Sequence, residues 1–446
     1  MLILRTCGQW FVSLGVVAGC LANIGDISAA DVEKEFKAAK AGLMRQTLSP
    51  KEDVRAAAMQ KFPAYPTPDA AKTLLQLGVT SQFEDVRRGS YQALLSYRND
   101  EKVAKFLSDE VSSDLKRAVI EPDACVALVV LLAADEPAVQ KNAQDVLTLA
   151  EKAPSGSLFL VTVVDQLGEL EDNPQSVRSL QTLAESPLAG QYAGFRRAVV
   201  QSLIRQRQKE AVTVLLQLLP TATGEVRADI QRHLAHISGL PAVDKPDWQA
   251  WWKEKQADFK FPLVRVARRA EAAAGMPSYY GLPLYGARLV FVLDTSGSMK
   301  GGRMESAKRE LVKAVTELPD GVQFNIVAFN SIVVPWQKDL VHSGPETKKE
   351  ALRFVQSCTP QQTTASYDAL EAALKFDADA IYFLTDGAPY GGKTSNPVEI
   401  VTQITKINRL RRATIHAIGI QAQAGQFEGF LQSLADENFG VYRRVD

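Results

Sequence analysis

Histidine and cysteine are scarce in this chain, with four of each among 446 residues. Cys7 and Cys20 sit in the first twenty residues, and Cys125 and Cys358 fall in segments assigned below to different domains. A structural disulfide is therefore not expected, and a chain long enough to bury large cores does without one even outside the cytoplasm. His233, His236, His342 and His416 form no ligand-spaced motif. HExxH, GxSxG and the phosphate-cradling GxxxxGK followed by Ser or Thr are also missing, so the sequence offers a metallohydrolase, a serine hydrolase or a nucleotide-binding loop little to work with. Excess charge is absent too: Lys plus Arg total 51 and Asp plus Glu total 51. No global field would draw the chain to nucleic acid or an anionic membrane.

The length exceeds what one hydrophobic core usually organises, so two or more domains are expected. Residues 1–30 read as an export signal. Arg5 supplies the positive end, and the apolar stretch from Trp10 to Ala22 is too short to span a bilayer comfortably. Ser28, Ala29 and Ala30 offer a cleavage site. Val17-Ala18-Gly19-Cys20 offers another, since it resembles a bacterial lipobox in which Cys20 would be acylated and become the new N-terminus. Both readings put the protein in a periplasm, a cell envelope or the extracellular space, with no membrane span in the mature chain.

Residues 31–245 are helical in pattern, rich in Ala, Leu, Gln and Arg, with breaks at Pro63, Pro66, Pro122, Pro137, Pro154, Pro187 and Pro220. One phrase recurs: Val54-Arg55-Ala56, Val86-Arg87-Arg88, Phe195-Arg196-Arg197 and Val226-Arg227-Ala228, with an imperfect copy at Val139-Gln140-Lys141. Two of the intervals, 54 to 86 and 195 to 226, are close to thirty residues. A period of that size marks stacked helical pairs, each burying its apolar face on its neighbours. The phrase resembles the start of the second helix in HEAT-type repeats, which implies an α-solenoid. An irregular helical bundle is the alternative. Asp53, Asp85 and Glu225, just ahead of three copies, would sit at helix N-termini where the backbone dipole favours negative charge.

Composition changes near Asp247. Trp248, Trp251 and Trp252 cluster, and residues 246–285 lack sustained periodicity, which reads as a linker. The tryptophans are expected to cap the last helical repeat; a carbohydrate or membrane-interface site is the other reading. The basic runs Arg268-Arg269 and Arg409-Leu410-Arg411-Arg412 read as solvated surface. Residues 286–446 alternate apolar strands with amphipathic helices. Strands are expected at 289–293, 324–329, 381–384 and 415–420, and helix faces at Met304, Ala307, Leu311, Val315 and Leu318, at Ala369, Leu370, Ala373 and Leu374, and at Val398, Val401, Ile404 and Ile407. This predicts a Rossmann-like, doubly wound, mostly parallel sheet covered on both faces, with ligands beyond the carboxyl ends of the strands.

The first strand runs into Asp294-Thr295-Ser296-Gly297-Ser298-Met299. Positions 294, 296 and 298 alternate and can converge, and a carboxylate with two hydroxyls is a hard-oxygen set suited to Mg²⁺ or Mn²⁺ rather than zinc. Gly297 would let the backbone turn closely. DTSGSM after an apolar strand resembles the first element of the metal-ion-dependent adhesion site of von Willebrand factor A domains. Two further elements match in order: Thr364 in Thr364-Ala365-Ser366-Tyr367-Asp368, and Asp386 in Leu384-Thr385-Asp386-Gly387. The family usually has glycines before that threonine, whereas Gln361-Gln362-Thr363 stand here, so Thr363 competes with Thr364 for the role.

The resemblance covers 286–446 and implies a cation site made by Asp294, Ser296, Ser298, Thr364 and Asp386, with a position left open for an acidic side chain of a protein partner. It implies a binding module, not an enzyme, with no catalytic residues. Other readings are turn-forming and helix-capping roles for the same residues, a metal-dependent hydrolase, a helical scaffold beside a passive C-terminal domain, and a subunit of an intracellular ATP-driven assembly, against which the export segment argues.

Overall fold

The computed structural model describes residues 29–117, 121–153, 156–170, 173–240, 246–262, 276–361, 363–421 and 426–446. The export segment, its lipobox and Arg268-Arg269 lie outside them. Among the described residues no helix is long and apolar enough to cross a membrane. Contacts gather the chain into two compact units, one of residues up to 189 with 201–211, the other of 190–200 with 212–446.

The described residues between Ala29 and Ser238 form a succession of helices joined by turns. Pro122, Pro137 and Pro187 each open a helix, where a missing N–H costs nothing. Every copy of the recurrent phrase lies in the first turns of a helix: Glu52–Met59, Glu84–Ser96, Pro137–Lys152, Ala193–Arg205 and Gly224–Ser238. Val177-Arg178 in Pro174–Ala184 occupies the same place and escapes a search keyed to regular spacing. The acidic residues do more than face a dipole. Asp85 accepts from Arg55 Nε at 2.8 Å, and Glu225 pairs with Arg197 at 3.3 Å, so each receives an arginine from an earlier copy.

In the second unit, helix Trp248–Lys255 and a hairpin of β1 (Ser278–Tyr279) and β2 (Leu282–Pro283) occupy the stretch expected to be linker. Tyr279 and Leu282 are fully buried in the core of the following sheet, because aromatic and branched side chains there have a face to cover. The linker expectation is corrected for these residues. Trp252 donates its indole N–H to Thr213 at 3.0 Å and, with Trp248, is buried, so these two tryptophans pack inward.

The sheet contains β3 (Arg288–Asp294), β4 (Gln323–Phe329), β5 (Val333–Pro335), β6 (Val341–His342), β7 (Ala380–Thr385), β8 (Thr414–Ile420) and β9 (Tyr442–Val445). Its order is β5-β4-β3-β7-β8-β9, with β6 also on β4. Pairs β3/β4, β3/β7, β7/β8 and β8/β9 are parallel; β5 and β6 run antiparallel to β4. Strand periodicity of two divides the core. Leu289, Phe291 and Leu293 face helices Gly302–Glu317 and Pro345–Ser357, while Val290 and Val292 face helices Ser366–Ala373, Pro397–Arg411 and Gln426–Glu437. Truncating a side chain such as Phe291 to alanine would cost roughly 3–5 kcal/mol.

The four expected strands are present, and β5, β6 and β9 are added. In helix Pro397–Arg411 the apolar face is turned from the expected one. Ile400, Val401 and Ile404 are buried in the core against the sheet, but Val398 is 60% exposed and Ile407 37%; Asn396 caps the first turn with its side chain on the N–H groups of Val398 and Glu399. The chain passes from β3 to β4 on one side and later returns to β7 on the other, so the sheet's topological switch point lies between the carboxyl ends of β3 and β7.

Candidate metal centre

β3 ends at Asp294 with its side chain fully buried. Its carboxylate accepts the Ser296 backbone N–H at 2.7 Å and the Thr385 hydroxyl at 2.5 Å. Burial pushes its pKa up to about 6, with the Asp386 charge adding to the rise and the two hydrogen-bond donors opposing it. The intervening Thr295 is an anchor rather than a lining group. Its N–H and hydroxyl donate to Phe329 O at the end of β4, and its carbonyl accepts from Gln361 N at 2.8 Å.

A tight turn at Gly297–Met299 then folds Ser298 back over Ser296, and the two hydroxyls lie 3.0 Å apart. Ser298 Oγ donates to Asp386 Oδ1 at 2.7 Å. Gly297 is not in the left-handed region. That conformation falls at Gly301, φ +79°, the residue that caps helix Gly302–Glu317, so the expected backbone freedom is used four residues later.

Thr364 belongs to a loop held against its neighbours on two sides. It exchanges both backbone hydrogen bonds with Tyr390, at 2.9 and 3.0 Å, and Ala365 N donates to Asn330 O. No hydrogen bond joins Thr364 to the other four residues, whereas Asp294 through Ser296, and Ser296 through Ser298 to Asp386, form one connected chain. Thr363 is half-buried, its hydroxyl 3.0 Å from where a Cβ on Gly391 would lie. Ser366, two residues beyond Thr364, is fully buried with its hydroxyl unpartnered among the described residues.

Arg303, in the first turn of helix Gly302–Glu317, went unnoticed in the sequence. Its Nη1 donates to Asp386 Oδ2 and to Ser298 O, both at 2.9 Å, and its Nε donates to Gln421 Oε1 at 3.0 Å. The only signal was its place five residues after Ser298, which any surface arginine on that helix would share. Thr385 was part of the quoted motif, but its bond to Asp294 required the β3/β7 register to be known.

The donor chemistry fits a hard cation. Two carboxylates and two hydroxyls meet at one strand-end crevice, without imidazole or thiolate. Among the described residues there is no group of three or more His, Cys, Asp or Glu able to hold a metal. A cleft of about 720 Å³, lined by residues including Val333, Leu340, Glu371 and Phe376, lies elsewhere and includes none of the five site residues.

Residues 287–444 match the family model for the von Willebrand factor type A domain, and this part of the chain is such a domain. It is 30% identical over 178 residues to inter-alpha-trypsin inhibitor heavy chain H3 of Mesocricetus auratus, covering 37% of this chain and 20% of that protein. It is 30% identical over 158 residues to human von Willebrand factor A domain-containing protein 3A, covering 35% of this chain and 13% of that one. The match thus takes in a fifth or less of the length of these curated relatives. Among solved structures, von Willebrand factor type A from Catenulispora acidiphila is 21% identical with a TM-score of 0.32, covering 36% of this chain and 38% of that one.

Proposed function

We propose that the C-terminal domain binds Mg²⁺ or Mn²⁺ through Ser296, Ser298, Thr364, Asp294 and Asp386, and with it holds a carboxylate of a protein partner. The observation that carries this reading is the hydrogen-bonded run from Asp294 through Ser296 and Ser298 to Asp386 across the switch point of the sheet. A bound divalent ion would supply an electrophilic oxygen-seeking centre with a position free for an outside ligand. The chain's own residues do the rest. β3 and β7, buried on both faces, hold the two aspartates on a rigid platform, and the Thr295 anchors keep 294, 296 and 298 turned the same way. Thr364 is the threonine best suited to join them, since the Tyr390 pairing fixes its backbone.

The helical region, read as a HEAT-like stack, is assigned a second contact surface, and the first thirty residues an export role with Cys20 as an alternative lipid anchor. A pull-down from envelope extract with the full chain tests the central reading. Partner capture should require Mg²⁺ and vanish in Asp294→Ala and in excess chelator. Undiminished capture under chelation would defeat the cation reading and favour the helical scaffold. Homology to inter-alpha-trypsin inhibitor heavy chains agrees with a protein-binding role for this domain.

A further inference from the structure

Asp386 is a carboxylate whose two oxygens are both engaged: Oδ1 by the Ser298 hydroxyl, Oδ2 by Arg303 Nη1. Its side chain is fully buried, while that of Arg303 is 35% exposed, so the guanidinium reaches in from solvent to neutralise a charge at the floor of the site. The same Nη1 also donates to Ser298 O, which places the positive charge against two of the residues assigned to the cation.

We propose that Arg303 is a built-in cation of this site, which weakens binding of a divalent ion and strengthens binding of an anion to the ion once held. The inference rests on the cation reading above. Two aspartates bring two negative charges. With a divalent ion bound, the site would be neutral without Arg303 and carries one net positive charge with it, which matches a single carboxylate. Like charge a few ångströms away opposes the dication at loading, and the same charge then attracts the anion. The two effects of removing Arg303 therefore have opposite signs, which a merely structural clamp would not produce.

The test uses the full chain, Mn²⁺ as the ion and acetate as the carboxylate. Free Mn²⁺ is followed by electron paramagnetic resonance, and acetate arrival by the loss of water-proton relaxation at the bound ion. Arg303→Met should bind Mn²⁺ roughly three- to tenfold more tightly and need at least about threefold more acetate for the half-maximal effect. Arg303→Lys, which keeps the charge, should bind Mn²⁺ close to the parent. Arg303→Gln, which keeps a planar polar head, makes the same comparison as Met if that variant misfolds. Equal or weaker Mn²⁺ binding by the uncharged variants, or unchanged acetate dependence, overturns the role of Arg303 while leaving the cation site standing. Failure of the parent chain to bind Mn²⁺ removes the cation reading itself.

Discussion

Two ionic clusters in the C-terminal unit are built from the same chemistry to different ends. Around Arg197 the charges are closed off. Its guanidinium, 4% exposed, meets Asp229 at 2.7 Å and Glu225 at 3.3 Å and donates to Arg412 O at 2.6 Å, while Arg232 reaches the same two acids. Around Asp294 and Asp386 a single, partly exposed arginine pairs with Asp386, whose other oxygen takes the Ser298 hydroxyl, while Asp294 is met by the Thr385 hydroxyl and the Ser296 N–H. A closed cluster fixes how helices pack against the sheet. An under-neutralised one, lined by hydroxyls, is the arrangement on which the proposed cation site rests.

The comparison breaks most visibly at Arg197. Arg197→Met leaves Glu225 and Asp229 short of their main counter-charge and should cost about 3–5 kcal/mol in denaturant unfolding; a loss under 1 kcal/mol would mean the cluster is not closed. Next comes a group nearby. His416, stacked on Tyr382 and accepting the Val441 N–H, has its pKa lowered to about 3 by burial and by the charges of Arg232 and Arg197. The unfolded chain binds a proton there near 6.5 and the folded chain does not, so its contribution is present above pH 6.5 and is lost as pH falls towards 3. The slope is at most about 1.4 kcal/mol per pH unit. His416→Gln should flatten that acid limb in melts between pH 4 and 7, and an identical limb would refute the assignment.

Effects at the open cluster should be smaller in stability and larger in binding. Ser298→Ala removes a donor to Asp386 and should lower stability by about 1 kcal/mol, with Mn²⁺ affinity falling about tenfold for the roughly 1.4 kcal/mol of a lost ligand. Asp294→Asn replaces a buried carboxylate that burial already disfavours, so unfolding without metal should shift by less than about 1 kcal/mol. Thermal stabilisation by Mn²⁺ should disappear altogether. A melt in which Asp294→Asn loses stability as Arg197→Met does would erase the distinction between the clusters.

The sheet was legible because its strands are apolar on both faces and short, and because Met304, Ala307, Leu311 and Val315 repeat at helical spacing. Asp294, Ser296, Ser298 and Asp386 were legible because alternation in a turn and a strand-end aspartate are local patterns. Arg303, Gln421 and Thr385 were not, since their partners lie 83 to 118 residues away and depend on strand order. The short strands β5, β6 and β9 carry half-exposed residues such as Val333 and Tyr442 and so have no continuous apolar run to announce them. In helix Pro397–Arg411 the apolar residues Ile400, Val401, Ile404, Val398 and Ile407 span more than one face, so spacing alone did not decide which of them would meet the sheet.

Tyr390 is 71% exposed, yet its backbone is clasped on both sides by Thr364. Its side chain therefore projects outward from a main chain that is held in place. A photoreactive aromatic amino acid installed at this position would project from a backbone joined to Thr364, and any protein it cross-linked under illumination would be a candidate for the partner proposed above.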